Sequence, residues 1–352
     1  MHSNIAKYSL AMTIFAAISA ATIPAQAALL VSSSGDNSIK QYDEITGVYI
    51  RDFVTAGSGG LLAPQDLALG LNGNLFVVSG GDSTVKEYSG TTGEYIGNFV
   101  SFEQPSSLTG LSFAADGSLF ITTNRIPGFE IDNFQTSGIL QYDGNTGELL
   151  SSIYTGVPAF NPAPIDVAVG GSSNNIFFSE STNRFNPGGI REYDPTISDF
   201  TQLSVSPHPL STLPFKPQGL ALEDNKLFFT NGREVGLIDL TTNTSDSFFV
   251  DTSSGGLNSA IGLTVGEDGN LYVSNSLTNS IKKYDGDTGN YLGDFVTSGS
   301  GGLSSPTYLT TANVPVPEPS SVLGIAALGG LFVCSALQRK ANRRKQLNLL
   351  QK

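Results

Sequence analysis

The sequence predicts an all-β fold: a six-bladed β-propeller closed by pairing of the N- and C-terminal strands, followed by a C-terminal transmembrane helix. Three observations predict the ring. A Tyr-Asp-type landmark recurs at Asp43, Ser89, Asp143, Asp194, Asp239 and Asp285, at spacings of 46, 54, 51, 45 and 46 residues. Periods of this length mark repeat architectures in which each unit is one supersecondary element. Each interval also holds short apolar runs punctuated by Gly-containing turns, a strand-and-turn signature. Finally, YDEITGVYIRDFVTAGSGGL (42–61) and YDGDTGNYLGDFVTSGSGGL (284–303) agree at 14 of 20 positions, and each is followed at the same offset by a proline, Pro64 or Pro306.

Each unit reads as four strands. The first is apolar: PQDLALG (64–70), LTGLSFA (108–114), PIDVAVG (164–170), PQGLALE (217–223) and AIGLTVG (260–266). Asn72-Gly73, Asp116-Gly117 and Asp268-Gly269 then suit two-residue hairpin turns. The second strands are NLFVVS (74–79), SLFITT (118–123), NIFFSE (175–180), KLFFTN (226–231) and NLYVSN (270–275). The third ends at the landmark. A Thr-Gly turn, as at Thr46-Gly47 or Thr288-Gly289, leads into the fourth. Four antiparallel strands per unit make a propeller blade. The chain enters at a second strand, ALLVSS (28–33), and leaves the repeat at a first strand, PTYLTTA (306–312). Together the two ends supply one unit, so the first and last repeats are neighbours in a closed ring. Closure removes the sheet edges that would otherwise invite aggregation.

The termini read as address signals. Residues 1–27 form an expected signal peptide: Lys7, an apolar region at 8–22, and an A-x-A-like cleavage site at Ala25 and Ala27. The propeller is expected over 28–312 and a linker over 313–319. Residues 320–352 comprise an apolar span (321–337) and a basic tail (338–352) with Arg339, Lys340, Arg343, Arg344 and Lys345. A run of about 17 apolar residues is just long enough to cross a bilayer, and the flanking charges hold the tail in the cytoplasm.

Pro317-Glu318-Pro319, the apolar span and the basic cluster, in that order, resemble the PEP-CTERM sorting signal of bacteria with double membranes. The resemblance implies recognition by an exosortase-like processing enzyme, transient inner-membrane anchoring, and delivery to the cell surface or secreted matrix. That family is also associated with exopolysaccharide. The unit P-x-x-L…G-N-L-[FY]-V…I-x-x-Y-D, best seen in AIGLTVGEDGNLYVSNSLTNSIKKYD (260–285), resembles NHL-type repeats across nearly all of 28–312. That likeness implies fold rather than function.

Composition narrows the chemistry. Within 28–316 lie 30 of the 31 acidic residues and 11 of the 18 basic ones, a formal charge near −19. This field repels phosphate backbones and argues against nucleic acid as a partner. The one cysteine, Cys334, lies in the apolar span, so the propeller has no disulfide and no structural zinc site.

The longer spacings arise from loops that share one face: 123–138 and 181–189 between second and third strands, 154–163 and 204–216 between blades. A ligand is expected there. Phe129, Phe134, Tyr154, Phe160 and Phe185 lie on or beside these loops as candidate stacking platforms. Glu180, Asn231 and Asn275, which end second strands, and Asp66 and Asp166, which begin first strands, are further candidates for the ligand face; the two aspartates could instead line the channel or cap a strand end. Six-bladed lactonases and gluconolactonase-like hydrolases place Asn or Asp on a channel metal from the middle residue of a P-x-G-like motif. The matching positions here are Gln65, Thr109, Ile165, Gln218, Ile261 and Thr307, none a carboxylate or Asn. Virginiamycin-lyase-like propellers use histidine as general base; here only His208, between prolines, lies in the exported part. Asp143 with Asn145, and Asp285 with Asp287, alternate oxygen ligands as calcium loops do, but the pattern is incomplete and the same residues form turns. The expected role is non-catalytic binding of polysaccharide or protein at the cell surface. The alternatives are a metal-dependent propeller hydrolase or lactonase, and a structural matrix component.

Overall fold

The computed structural model describes residues 25–102, 106–126, 128, 130–131, 134–156, 163–170, 175–180, 188–203, 216–252 and 254–315. The apolar span, the basic tail, Pro317-Glu318-Pro319, His208 and the loop residues Phe129, Phe160 and Phe185 lie outside them. Among the described residues no helix is long and apolar enough to cross a membrane.

Six four-stranded antiparallel sheets form the ring. Blade 1 joins the two ends of the repeat: Pro306–Pro315, Ala25–Ser33, Ser38–Asp43 and Tyr49–Val54. Blade 2 runs from Pro64–Leu69 to Tyr95–Ser101, blade 3 from Leu108–Phe113 to Leu149–Gly156, and blade 4 from Pro164–Gly170 to Asp199–Gln202. Blade 5 runs from Leu220–Glu223 to Thr244–Val250, and blade 6 from Ala260–Val265 to Tyr291–Val296. A small hairpin, Glu130–Ile131 with Phe134–Gln135, occupies the insertion of blade 3. Each first strand contacts the first strand of the next blade, round to blade 1. In the closing blade Ala28 faces Ala312 and Leu30 faces Thr310. Pairing continues three residues past the expected 28–312 at each end, with Ala25 opposite Pro315 and Ala27 opposite Asn313. Asn313–Pro315 therefore extend a strand, because their backbone groups find partners there.

The core lies in the seams. Phe76, Val78 and Val85 of blade 2 pack with Leu111, Leu119 and Ile121 of blade 3, and the other seams repeat the scheme. Second strands of blades 2, 3 and 6 are buried along their whole length, and those of blades 4 and 5 along all but the first residue, as strands covered on both faces must be. Third-strand tyrosines explain why 42–61 and 284–303 are so alike. Tyr42, Tyr88 and Tyr284 donate to the carbonyls of Ser300, Ser58 and Ser254 in the Ser-Gly-Gly-Leu entry loops, at 2.9, 2.9 and 3.1 Å. The middle glycine of each loop has positive φ and lies against a fourth-strand tyrosine. A Cβ on Gly59 would meet the Tyr95 ring at 2.2 Å, so no other residue fits.

The turns after the first strands differ from expectation. Gly70 N–H bonds to Asn74 O and Gly73 N–H to Gly70 O, which makes a three-residue loop. Gly73, Gly117 and Gly269 have φ of 77°, 89° and 73°, while Asn72, Asp116 and Asp268 are not among the positive-φ residues. A type I turn with a glycine bulge needs one left-handed residue rather than the two that a type I′ turn requires, and Asn-Gly or Asp-Gly serves both.

The ring has a regular and a diverged half. Blades 6, 1 and 2 share the Ser-Gly-Gly-Leu loop and a buried third-strand lysine, Lys282, Lys40 or Lys86, ion-paired to Asp294, Asp52 and Asp36, or Asp82. Blades 3, 4 and 5 carry Leu140, Arg191 and Gly236 at that position and hold all the long connections.

Candidate functional site

At the third position of the first-strand motif, Asp66, Asp166 and Tyr308 line a central cavity. Around the ring the residues at that position are Tyr308, Asp66, Gly110, Asp166, Gly219 and Gly262. Asp66 and Asp166 are separated by Gly110, which leaves space for both. A Cβ on Gly110 would fall 2.5 Å from Asp166 Oδ1 and 2.6 Å from its Cα. The two carboxyl groups hydrogen-bond to each other. Each also ties its own strand to the following blade. Asp66 accepts from Leu67 N at 2.7 Å and, in blade 3, from Leu111 N at 2.8 Å. Asp166 accepts from Val167 N at 2.8 Å and, in blade 5, from Leu220 N at 2.7 Å.

Burial governs their protonation. Asp66 is pushed up to about 7 by desolvation, against the pull of its backbone donors. Desolvation and the charge of Asp66 hold Asp166 well above the ordinary carboxylate range. Two acids this close share a proton, and the pair titrates as a unit. Tyr308 lies beside them, buried, its phenol raised by burial and by both carboxylates. Its hydroxyl has no hydrogen-bond partner among the described residues. These three residues close one end of a channel cavity of about 350 Å³. Exposure rises along the first strands, from buried Asp166 to exposed Glu223, so this cavity opens on the face of the short turns. The strands that flank the long connections leave from the opposite face.

In the channel both aspartates accept backbone N–H bonds; sequence reasoning names them as candidate ligand-face residues that could line the channel or cap a strand end. It missed their pairing and missed Tyr308. The signal was present: at the third first-strand position, Asp stands twice and Tyr once where other blades have Gly.

The other predicted residues do different work. Asn275 Oδ1 accepts from Asn258 N and Ser259 N at 3.3 and 3.0 Å, and Asn231 Oδ1 from Lys216 N at 2.7 Å. Both amides hold the entry loop onto the second strand. Glu180 occupies the same position in blade 4 but is a buried acid, pushed up to about 7 by desolvation, with Arg191 Nε 3.0 Å from its Oε2.

Asp143 Oδ1 accepts from Asn145 N, Thr146 N and Thr146 Oγ1 at 2.9, 2.8 and 3.1 Å. Asp285 Oδ1 accepts from Asp287 N, Thr288 N and Thr288 Oγ1 at 3.2, 2.9 and 2.7 Å. Asp43 makes the same bonds to Ile45, Thr46 and the Thr46 hydroxyl in a turn without the calcium-like pattern. The donors hold Asp143 and Asp285 below the usual range. Asp287 is exposed and pairs with Lys226 at 3.0 Å. One oxygen of each carboxylate is thus turned into its own turn, as in a turn former. Among the described residues no group of three or more His, Cys, Asp or Glu is placed to hold a metal.

Comparison with known proteins supplies the address. Residues 315–340 match the model of the PEP-CTERM protein-sorting motif. The chain carries a PEP-CTERM sorting motif. A PEP-CTERM motif implies export, C-terminal sorting to the cell surface and processing by an exosortase-type enzyme. No curated protein sequence matches this PEP-CTERM chain. Its fold is shared with solved propellers at low identity. The "Crystal structure of Nidogen/Laminin Complex" aligns at TM-score 0.60 and 14% identity, over 81% of this chain and 98% of that one. A protein of unknown function from Bacteroides caccae aligns at 0.59 and 15%, over 83% and 100%. XC5397 from Xanthomonas campestris, described as a gluconolactonase, aligns at 0.50 and 14%, over 78% and 87%. At such identities the likeness establishes a six-bladed propeller and nothing finer.

Proposed function

We propose that this exported propeller is a non-catalytic binding protein of the cell surface or secreted matrix, taking polysaccharide or protein on the loop face of blades 3–5. One observation carries the reading. The channel carboxylates Asp66 and Asp166 have all four oxygens engaged by backbone N–H donors, and they bond to each other besides. Each acid thus ties its own strand to the next blade, a structural use of the pair, and among the described residues no group of three or more His, Cys, Asp or Glu stands with them to hold a metal. The regular half of the ring shows what the repeat needs for folding alone. The loops of the diverged half exceed that need, and binding residues concentrate on such loops. A propeller of the same fold occurs in a complex of two proteins, nidogen and laminin.

A hydrolase or lactonase is the second reading. It is favoured by a proton-sharing acid pair at the end of a cavity of about 350 Å³. One experiment separates the two. The purified full chain, in a sugar-free detergent, is presented to the producing cell's own exopolysaccharide and surface proteins, with and without a chelator. In parallel it is assayed on simple lactones and esters. Retention of polysaccharide or protein, unchanged in Asp66→Asn, is expected. Absence of retention together with turnover abolished in Asp66→Asn would overturn the binding reading in favour of the hydrolase.

A further inference from the structure

The seams after blades 3 and 4 both lack a filler that the other four share, and between blades 3 and 4 the difference leaves a cavity. In four blades the fourth strand places a phenylalanine in the seam: Phe53, Phe99, Phe249 and Phe295. Phe99, Phe249 and Phe295 pack edge-on or tilted against second-strand rings, with centroids 4.8 Å from Phe76, 5.5 Å from Phe228 and 4.7 Å from Tyr272. Phe113, from the first strand of blade 3, adds a further ring 5.0 Å from Phe76. The next blade's Thr-Gly turn then closes over the fourth-strand phenylalanine. A Cβ on Gly93 would fall 1.7 Å from Phe53 O, and one on Gly289 1.7 Å from Phe249 O. In blade 1 Arg51 adds a cover. Its guanidinium lies 5.0 Å over the Phe53 ring and donates to Thr91 O and Thr92 O of blade 2.

Every one of these fillers is missing between blades 3 and 4. Ile153 stands for the fourth-strand phenylalanine, Val169 for Phe113, Ser151 for Arg51, and Pro195 opens a turn without Thr-Gly. The space so vacated is a cavity of about 310 Å³. Its floor is apolar: Phe120, Ile153, Val169 and Ile176. Tyr193 forms a second aromatic wall. The mouth is polar. Ser151 Oγ donates to Gln141 Oε1 at 2.8 Å, and Gln141 Nε2 donates to Ser118 Oγ at 3.1 Å, so the carboxamide is held in one orientation. Asp116 adds a carboxylate to the rim.

We infer that this seam binds a neutral, hydroxyl-rich ligand the size of one sugar ring. Cavities of this volume with an apolar floor and a few fixed polar groups are the usual form of small-ligand sites. The apolar ring-proton face of a pyranose suits Phe120 and Tyr193. Its hydroxyls both donate and accept, which matches an amide, a hydroxyl and a carboxylate. Among the described residues no lysine or arginine lines the cavity, which disfavours an anionic ligand. The mouth opens beside the short turns, at the strand ends opposite those that flank the long connections, so the site stands independently of the loop-face reading.

The test is saturation-transfer NMR on the full chain in a sugar-free detergent. The probes are methyl glycosides of glucose, galactose, mannose and N-acetylglucosamine, each alone and as the end of a short oligosaccharide. At least one probe is expected to give a saturable signal. Ile153→Phe refills the seam with the side chain four blades already use, and should weaken that signal at least tenfold while the unfolding midpoint holds or rises. Gln141→Leu introduces the residue type that blade 5 carries there as Leu237. It removes the oriented amide and should weaken the signal as well, which keeps the test valid if the first variant misfolds. A response confined to oligosaccharides identifies a chain end rather than a free sugar as ligand. Silence from all probes, or a signal undiminished in both variants, overturns the inference.

Discussion

Asp66 and Asp166 meet across Gly110, and each accepts a backbone N–H from a first strand of another blade, Leu111 or Leu220. Two acids, 100 residues apart in sequence, thereby fasten the first strands of blades 2 to 5 around one shared proton.

Stability should fall as pH rises from about 4 toward 7. Folded Asp66 titrates near 7 and the unfolded residue near its ordinary value, so between about pH 4 and 7 the native state binds the extra proton. Stability is full below the unfolded value and declines by roughly 1.4 kcal/mol per pH unit per proton toward the folded value. Glu180, shifted the same way, adds to the trend. Urea unfolding at pH 5, 6, 7 and 8 measures the slope. Asp166→Asn should flatten it.

Gly110→Ala should destabilise the ring by about 1–3 kcal/mol or more, because the new methyl meets Asp166 backbone as well as its carboxylate. Denaturant midpoints measure the loss. The same variant should also weaken the pH slope, since it separates the acids.

Thr122→Val keeps the shape that blade 2 already tolerates at Val78, yet removes the hydroxyl and its bonds to blades 3 and 4. Thr122 Oγ1 accepts from Gly110 N at 2.8 Å and donates to Ile165 O of blade 4 at 3.0 Å. Leaving that buried N–H without its acceptor should cost about 1–3 kcal/mol, read from equilibrium unfolding.

Tyr308→Phe should be neutral or stabilising by up to about 1 kcal/mol, since a buried hydroxyl without a partner contributes only its desolvation cost. A clear loss of stability would show that the hydroxyl meets a ligand or ordered water in the channel.

Deleting 306–315 should abolish the monomeric fold. It strips the first strand from blade 1, exposing the edge of Ala25–Ser33 and the inner faces of blades 2 and 6. Size-exclusion chromatography and circular dichroism would report aggregation or unfolding.

Local order along the chain was enough to specify the blades, their number, the closing of the ring by its two ends and the sorting motif. Strand periodicity, turn residues and the distance between landmarks carry each of these. Asn231, Asn275, Asp143 and Asp285 were legible in the same way, as polar residues at strand ends and turns; only coordinates show which backbone groups consume them. The remaining features belong to three-dimensional packing. Whether Asp66 and Asp166 touch depends on a missing side chain at Gly110 and on the ring's curvature. The cavity at Ile153 depends on what four other seams contain. Contacts between residues distant in the chain are set by packing around the axis, and no periodicity along the chain encodes them.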